Sequence, residues 1–199
     1  EYINMDSDFT GTNPCKFITA ISNVMNQHAI VTSDVGQNQI WTAHYFNAGN
    51  NRRYMTSGGL GTMGYSLPAA IGARFSAGKD TMVTAVMGEG GFQMLMGELA
   101  LVREYDLDIK IIIMTNERLG MVRELQLNAY GKDSYFGIDI GFNPDYIKLA
   151  DAYDIKGYLI EDDNHIESVI NQAYSSNGPC IIQVKVDPDF PTLSRGRSR

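Results

Sequence analysis

Two oxygen-bearing side chains, Glu89 and Asn116, stand 27 positions apart, each just after an apolar run gives way to a turn. Glu89 lies in Gly88-Glu89-Gly90-Gly91, behind Met82 to Met87, and Asn116 opens Asn116-Glu117-Arg118-Leu119-Gly120-Met121-Val122, behind Ile109 to Met114. A carboxylate and an amide oxygen with a glycine-flanked backbone between them suit a hard divalent cation that bridges to a phosphate. No Cys or His lies between Met82 and Val122, which favours Mg²⁺ or Ca²⁺ over zinc. Local composition also fits ordinary turns, because strand ends carry glycine and polar residues for that reason alone.

The elements around these residues narrow the choice. Both apolar runs have the length and composition of strands buried on two faces. From Phe92 to Tyr105 the pattern turns helical, with Phe92, Met96, Leu99 and Val102 on one stripe. Strand, helix and strand form a βαβ unit, whose crossover makes the strands parallel and puts Glu89 and Asn116 on one rim. Elsewhere the periodicity predicts helices over Pro14 to Gln27, around Trp41 to Phe46, over Leu67 to Ala77, from Pro144 or Asp145 to Tyr153, and over Asn164 to Ser175. It predicts further strands at Ala29 to Val35, Tyr54 to Ser57, Ile155 to Ile160 and Cys180 to Val186. Arg123 to Asn143 has no sustained period and reads as a helix end followed by a long loop. Six strands alternating with helices give an α/β fold: three-layer α/β/α, doubly wound, with a mainly parallel six-stranded sheet and ligands at the strand carboxyl ends.

The 199 residues, 44% of them hydrophobic, suffice for one domain, expected at residues 14–190 behind a linker or arm at 1–13 and ahead of a disordered tail at 191–199. A net charge of −7 argues against nucleic acid or an anionic membrane surface as partner. The one basic cluster, Arg195, Arg197 and Arg199, falls in that tail. Cys15 and Cys180 are far apart beside apolar runs and read as two reduced, packed thiols, with a disulfide as the alternative. With no long apolar run and no cleavable signal pattern, a cytoplasmic protein is expected. The start at Glu1-Tyr2-Ile3 reads as an excised piece of a longer chain. His28, His44 and His165 are scattered and suggest no site.

Gly59-Leu60-Gly61-Thr62-Met63-Gly64 is a literal GxGxxG between a short strand and a helix, which would suit a dinucleotide. The acid that should close the following strand stands too far on, at Glu89, 30 residues from Gly59, and inside a second glycine turn. A close-packing loop is a further reading. A third unites the loops. Gly88-Glu89-Gly90 with Asn116 resembles the thiamine diphosphate signature, a GDG followed by a distant Asn. Asp34 to Gln39, Thr56 to Gly64, Leu67 to Ala73 and Asn116 to Val122 are similar, in order and spacing, to the pyrophosphate-binding domain of acetohydroxyacid (acetolactate) synthases. The resemblance spans about Asp34 to Val186.

That resemblance implies a thiamine diphosphate-binding fold, with Mg²⁺ held by Glu89, Asn116 and the backbone carbonyl of Arg118. It implies that Gly36, Gln37, Asn38, Gly61, Thr62, Met63, Gly88, Glu89, Gly90, Gly91, Asn116, Leu119, Gly120 and Met121 bind the cofactor, with Met63 beneath the thiazolium unless it is a plain core methionine. The activity implied is decarboxylation of pyruvate and transfer of the hydroxyethyl unit to a second 2-keto acid. The catalytic glutamate would come from a pyrimidine-binding domain of a partner subunit in a homodimer or homotetramer, so no catalytic residue is expected on this chain, and the isolated chain is expected to be inactive. FAD would belong to another part of a full-length enzyme. The alternatives are another thiamine diphosphate-dependent 2-keto acid decarboxylase or lyase, or a catalytically degenerate dimerisation module. Three positions depart from the family pattern. Glu89 replaces an Asp and carries its carboxylate roughly 1.5 Å further out, Leu125 stands where a Trp is usual, and Asn38 replaces a frequent His.

Overall fold

The two central strands follow from unbroken runs of branched apolar residues. Val83–Gly88 and Ile109–Thr115 pair in parallel from Val83 opposite Ile109 to Gly88 opposite Met114. Along them successive side chains enter opposite cores: Val86, Ile112 and Met114 on one face, Ala85, Met87, Ile111 and Ile113 on the other. The structure, a computed structural model, describes residues 9–49, 51–132 and 134–192. Residues 1–8 of the expected arm at 1–13 and residues 193–199 of the expected tail at 191–199, with Arg195, Arg197 and Arg199, lie outside the described residues.

In chain order the elements are α1 (Pro14–Val24), β1 (Ile30–Ser33), α2 (Gln37–Tyr45), β2 (Arg53–Thr56), α3 (Ser66–Ser76), β3 (Val83–Gly88), α4 (Glu89–Leu95), α5 (Leu99–Glu104), β4 (Ile109–Thr115), α6 (Gly120–Tyr130), α7 (Tyr146–Ala152), β5 (Lys156–Ile160), α8 (Ile166–Ser175) and β6 (Cys180–Lys185). The described strands form one all-parallel sheet in the order β2-β1-β3-β4-β6-β5. Helices α1, α2 and α8 cover one face through Phe17, Ile18, Trp41 and Ile170, and α3, α4, α5 and α7 cover the other through Leu67, Phe92, Leu99 and Tyr146. This is the expected three-layer, doubly wound α/β/α architecture. Neighbouring β1 and β3 send their next helices, α2 and α4, to opposite faces, which opens a crevice at their carboxyl ends.

Two elements differ from the sequence reading. The helix expected over Phe92 to Tyr105 starts at Glu89 and is broken by a 3₁₀ turn at Met96–Glu98. Gly90 and Gly91 enter the helix because glycine is what fits there: a Cβ at Gly91 would lie 2.8 Å from Asp34 Oδ1. The helix end expected past Val122 is a full eleven-residue α6. Among its residues only Gly120 and Arg123 are buried, so it writes no apolar period into the sequence. Cys15 and Cys180 are both buried and unbonded, and burial pushes each thiol up to about 11. Among the described residues no helix is long and apolar enough to cross a membrane.

Residues 10–13 lie against the end of β6. Thr10 donates to Asp187, Gly11 bridges Val186, and Asn13 caps α1 by accepting from the N–H groups of Cys15 and Lys16.

Candidate functional site

The crevice at the carboxyl ends of β1, β3 and β4 is a cleft of about 100 Å³. The β1–α2 connection brings Gly36, Gln37 and Asn38 to it, the β3–α4 junction brings Gly88, Glu89, Gly90 and Gly91, and the β4–α6 loop brings Asn116, Arg118, Leu119, Gly120 and Met121. From the glycine loop only Met63 lines the cleft, its terminal methyl 3.2 Å from where a Cβ of Gly90 would stand. Gly61 and Thr62, expected beside it, stand outside the lining and exposed. Their N–H groups close the loop on Ser57, Gly61 onto its carbonyl at 2.9 Å and Thr62 onto its hydroxyl at 3.1 Å.

Glu89 is 1% exposed. Its Oε1 accepts from the main-chain N–H of Asn116 at 3.0 Å and of Glu117 at 2.5 Å, so the acid at the end of β3 is tied to the turn leaving β4. That turn passes through a left-handed Glu117, at φ 60°. Burial pushes the Glu89 carboxyl up to about 7, against the pull of these backbone hydrogen bonds. Both of these amides are reached through Oε1. Asn116 donates its Nδ2 to Gln37 Oε1 at 2.9 Å, and its Oδ1 receives only the N–H of Arg118 at 3.3 Å.

Two helices of more than two turns begin at this cleft without a side-chain cap, as does the short α4 at Gly88. Neither Gly36 before α2 nor Leu119 before α6 caps its helix, and the residues of both first turns line the opening. Uncapped N–H groups and the positive ends of two helix dipoles make an anion site. The side chains of Gln37 and Asn38 supply little to it. Asn38 spends its amide hydrogens on the Asp34 carbonyl at 2.7 Å and Ser33 Oγ at 3.5 Å, and Gln37 spends its own on Glu124 Oε1 and the Phe190 carbonyl, both at 2.9 Å. The free donors are main-chain ones.

The donor set fits a hard cation with a phosphate ligand. A buried carboxylate, the Asn116 amide oxygen and the Arg118 main chain offer oxygen only. Among the described residues no three His, Cys, Asp or Glu side chains gather as a metal cage, so a cation here would take the rest of its shell from phosphate and water.

The family description "Thiamine pyrophosphate enzyme, C-terminal TPP binding domain" matches residues 34–184, from the end of β1 to the end of β6. The chain belongs to this family. Acetolactate synthases are similar to it: the probable large subunit of Methanococcus aeolicus is 40% identical over 189 residues, 92% of this chain and 31% of the relative. The mitochondrial catalytic subunit of Saccharomyces cerevisiae is 36% identical over 89% of this chain and 26% of its own length, and the isozyme 2 large subunit of Escherichia coli is 38% identical over 79% and 28%. The chain thus spans about a third or less of the relatives it matches. The matched TPP-binding domain contains the whole cleft lining, from Val35 to Val122.

Sequence reasoning assigned no role to several residues that shape this TPP-binding domain. Asp34, 1% exposed, accepts from the N–H groups of Val35, Gly64 and Ser66 and so bolts the Met63 loop to β1. Its signals were an acid closing an apolar strand and its place at the head of the Asp34 to Gln39 loop. Glu124 lies one helical turn beyond Gly120 and holds Gln37 and Thr192, but nothing local marked α6 as its helix. Leu125, the departure from the family pattern, is exposed and outside the cleft lining.

Proposed function

We propose that the chain is the thiamine diphosphate- and Mg²⁺-binding part of an acetolactate synthase-like enzyme, which decarboxylates pyruvate and joins the two-carbon unit to a second 2-keto acid. One observation carries the reading: two uncapped helix N-termini meet Glu89 and Asn116 in a single cleft. The names of the relatives support the reaction.

When bound, thiamine diphosphate supplies the electron sink that lets a 2-keto acid lose carbon dioxide. The chain's own residues bind and orient. The first turns of α2 and α6 direct N–H groups at a diphosphate, while Glu89, Asn116 and the Arg118 carbonyl hold the cation that neutralises it. Met63, packed on Gly90, offers an apolar buttress for the ring system, and a fixed conformer lowers the entropic cost of reaching the reactive geometry. On this reading the proton that activates the cofactor goes to a glutamate outside this chain. That glutamate belongs to a pyrimidine-binding domain of a partner subunit, in a cytoplasmic homodimer or homotetramer.

The test is acetolactate formation from pyruvate. The full-length protein that carries this chain should produce it with thiamine diphosphate and Mg²⁺, and the isolated chain should not. Turnover by the isolated chain, or none by the full-length protein, contradicts the proposal.

A further inference from the structure

Gln37 sits between two groups of opposite demand. Its Nε2 donates to Glu124 Oε1 and to the Phe190 carbonyl, both at 2.9 Å, and neither partner has a hydrogen to give. The amide nitrogen must therefore face them, and Oε1 must face the other way. There it accepts from Asn116 Nδ2 at 2.9 Å. An amide that has committed its nitrogen presents its oxygen on the opposite side, and Asn116 Oδ1 holds only a long 3.3 Å bond from Arg118 N–H.

The arrangement is anchored at both ends. Thr192 donates its N–H to Glu124 Oε1 at 2.8 Å and its hydroxyl to Oε2, which fixes the carboxylate. Gln37 is 4% exposed and packs onto the first residue of α6 so closely that a Cβ at Gly120 would overlap its Oε1 and Cδ. The packing holds the side chain in place, and its hydrogen bonds decide which end of the amide faces Asn116.

We infer that Glu124 and Gln37 are positioning residues that set the polarity of the Asn116 amide, so that a cation in the cleft meets its oxygen and not its NH₂ group. This rests on reading the cleft as a cation–diphosphate site. It also gives Gln37 a different duty from the one the family resemblance implies: with both amide hydrogens spent, its side chain orients a ligand of the cation and does not bind the diphosphate. Partners that orient a metal ligand in this way are commonly worth about 10–100-fold in metal affinity.

The test is calorimetric titration of MgCl₂ into the full-length protein that carries this chain, in the presence of thiamine diphosphate. Glu124→Gln replaces an obligate acceptor with a group that can also donate, so Gln37 can turn. It should weaken Mg²⁺ binding by about tenfold or more. Gln37→Leu removes the acceptor for Asn116 Nδ2 and should cost a similar amount, and adding Glu124→Gln to Gln37→Leu should cost nothing further, because the relay is already broken. Thr192→Val, which loosens Glu124 without changing its polarity, should stay within about threefold of the parent, well below the relay effect. Parental Mg²⁺ affinity in Glu124→Gln, or a further loss when Glu124→Gln is added to Gln37→Leu, overturns the relay and leaves the site standing. An unsubstituted protein whose thiamine diphosphate binding ignores Mg²⁺ overturns the site and the relay together.

Discussion

At α1 and α7 the first turn is closed from within, Asn13 and Asp145 each accepting two main-chain N–H groups, and at α3 the buried Asp34 accepts from Gly64 and Ser66. At α2 and α6 no side chain does this, and the two open turns share one cleft with Glu89. The opposite edge of the sheet shows the closed condition in full. Lys110, 6% exposed, delivers its ammonium to Asp108 Oδ1, the Ser176 carbonyl and the Gly178 carbonyl at 2.7 to 2.9 Å. Polar groups that serve the fold are paired within it, and groups left open at the cleft are available to a ligand. Substitutions at the two places should therefore fail differently: at the closed edge in stability, at the open cleft in binding.

The largest effect on stability belongs to the closed edge. Lys110→Met takes the donor from two carbonyls, while the half-exposed Asp108 stays solvated, and should cost about 2–4 kcal/mol, lowering the melting midpoint by several degrees. Affinity for thiamine diphosphate should not change, and a parallel loss of binding would erase the distinction between the two regions.

Glu89→Gln should do the reverse. The Glu89 carboxyl has a folded pKa of about 7 against an ordinary 4.5. The stability linked to it is fully present below about pH 4.5, declines as pH rises, and is gone above about 7. A neutral Gln escapes this decline. In chelator at pH 8 the variant should be more stable than the parent by about 1–3 kcal/mol, with the difference vanishing near pH 4.5, as urea unfolding at each pH would show. It should no longer bind the cation. For the parent, the same protonation should weaken Mg²⁺ binding as pH falls below about 7.

The smallest effect sharpens the comparison by closing an open helix. Leu119→Asp gives α6 the cap that α1 and α7 already have and puts a carboxylate where a diphosphate should sit. Affinity for thiamine diphosphate should fall by about tenfold, or about 1.4 kcal/mol. Unchanged affinity would remove α6 from the site.

Much of this was legible before the structure. Strands β3 and β4 announce themselves because burial on two faces forces an unbroken apolar run, and the crossover rule then places Glu89 and Asn116 together. Helix α6 did not announce itself, since it buries too little to leave a period. The glycines at the start of α4 looked like a break because what calls for glycine at Gly91, the close approach of the Asp34 carboxylate, is distant in sequence. The Gln37–Glu124–Thr192 chain was invisible for the same reason: its members lie on a helix, another helix and the segment after β6, and only tertiary packing makes them neighbours.

The central claim is that open helix ends and a Glu89-held cation grip a diphosphate. Calorimetric titration of thiamine diphosphate, and separately of thiamine without its phosphates, into the full-length protein with Mg²⁺ or with chelator tests it most directly. The account predicts binding of the diphosphate with Mg²⁺, at least about a hundredfold loss, near 2.7 kcal/mol, when either the phosphates or the cation is removed, and little binding of thiamine in any condition. Equal affinity for thiamine and its diphosphate, or binding of the diphosphate that ignores Mg²⁺, would contradict it.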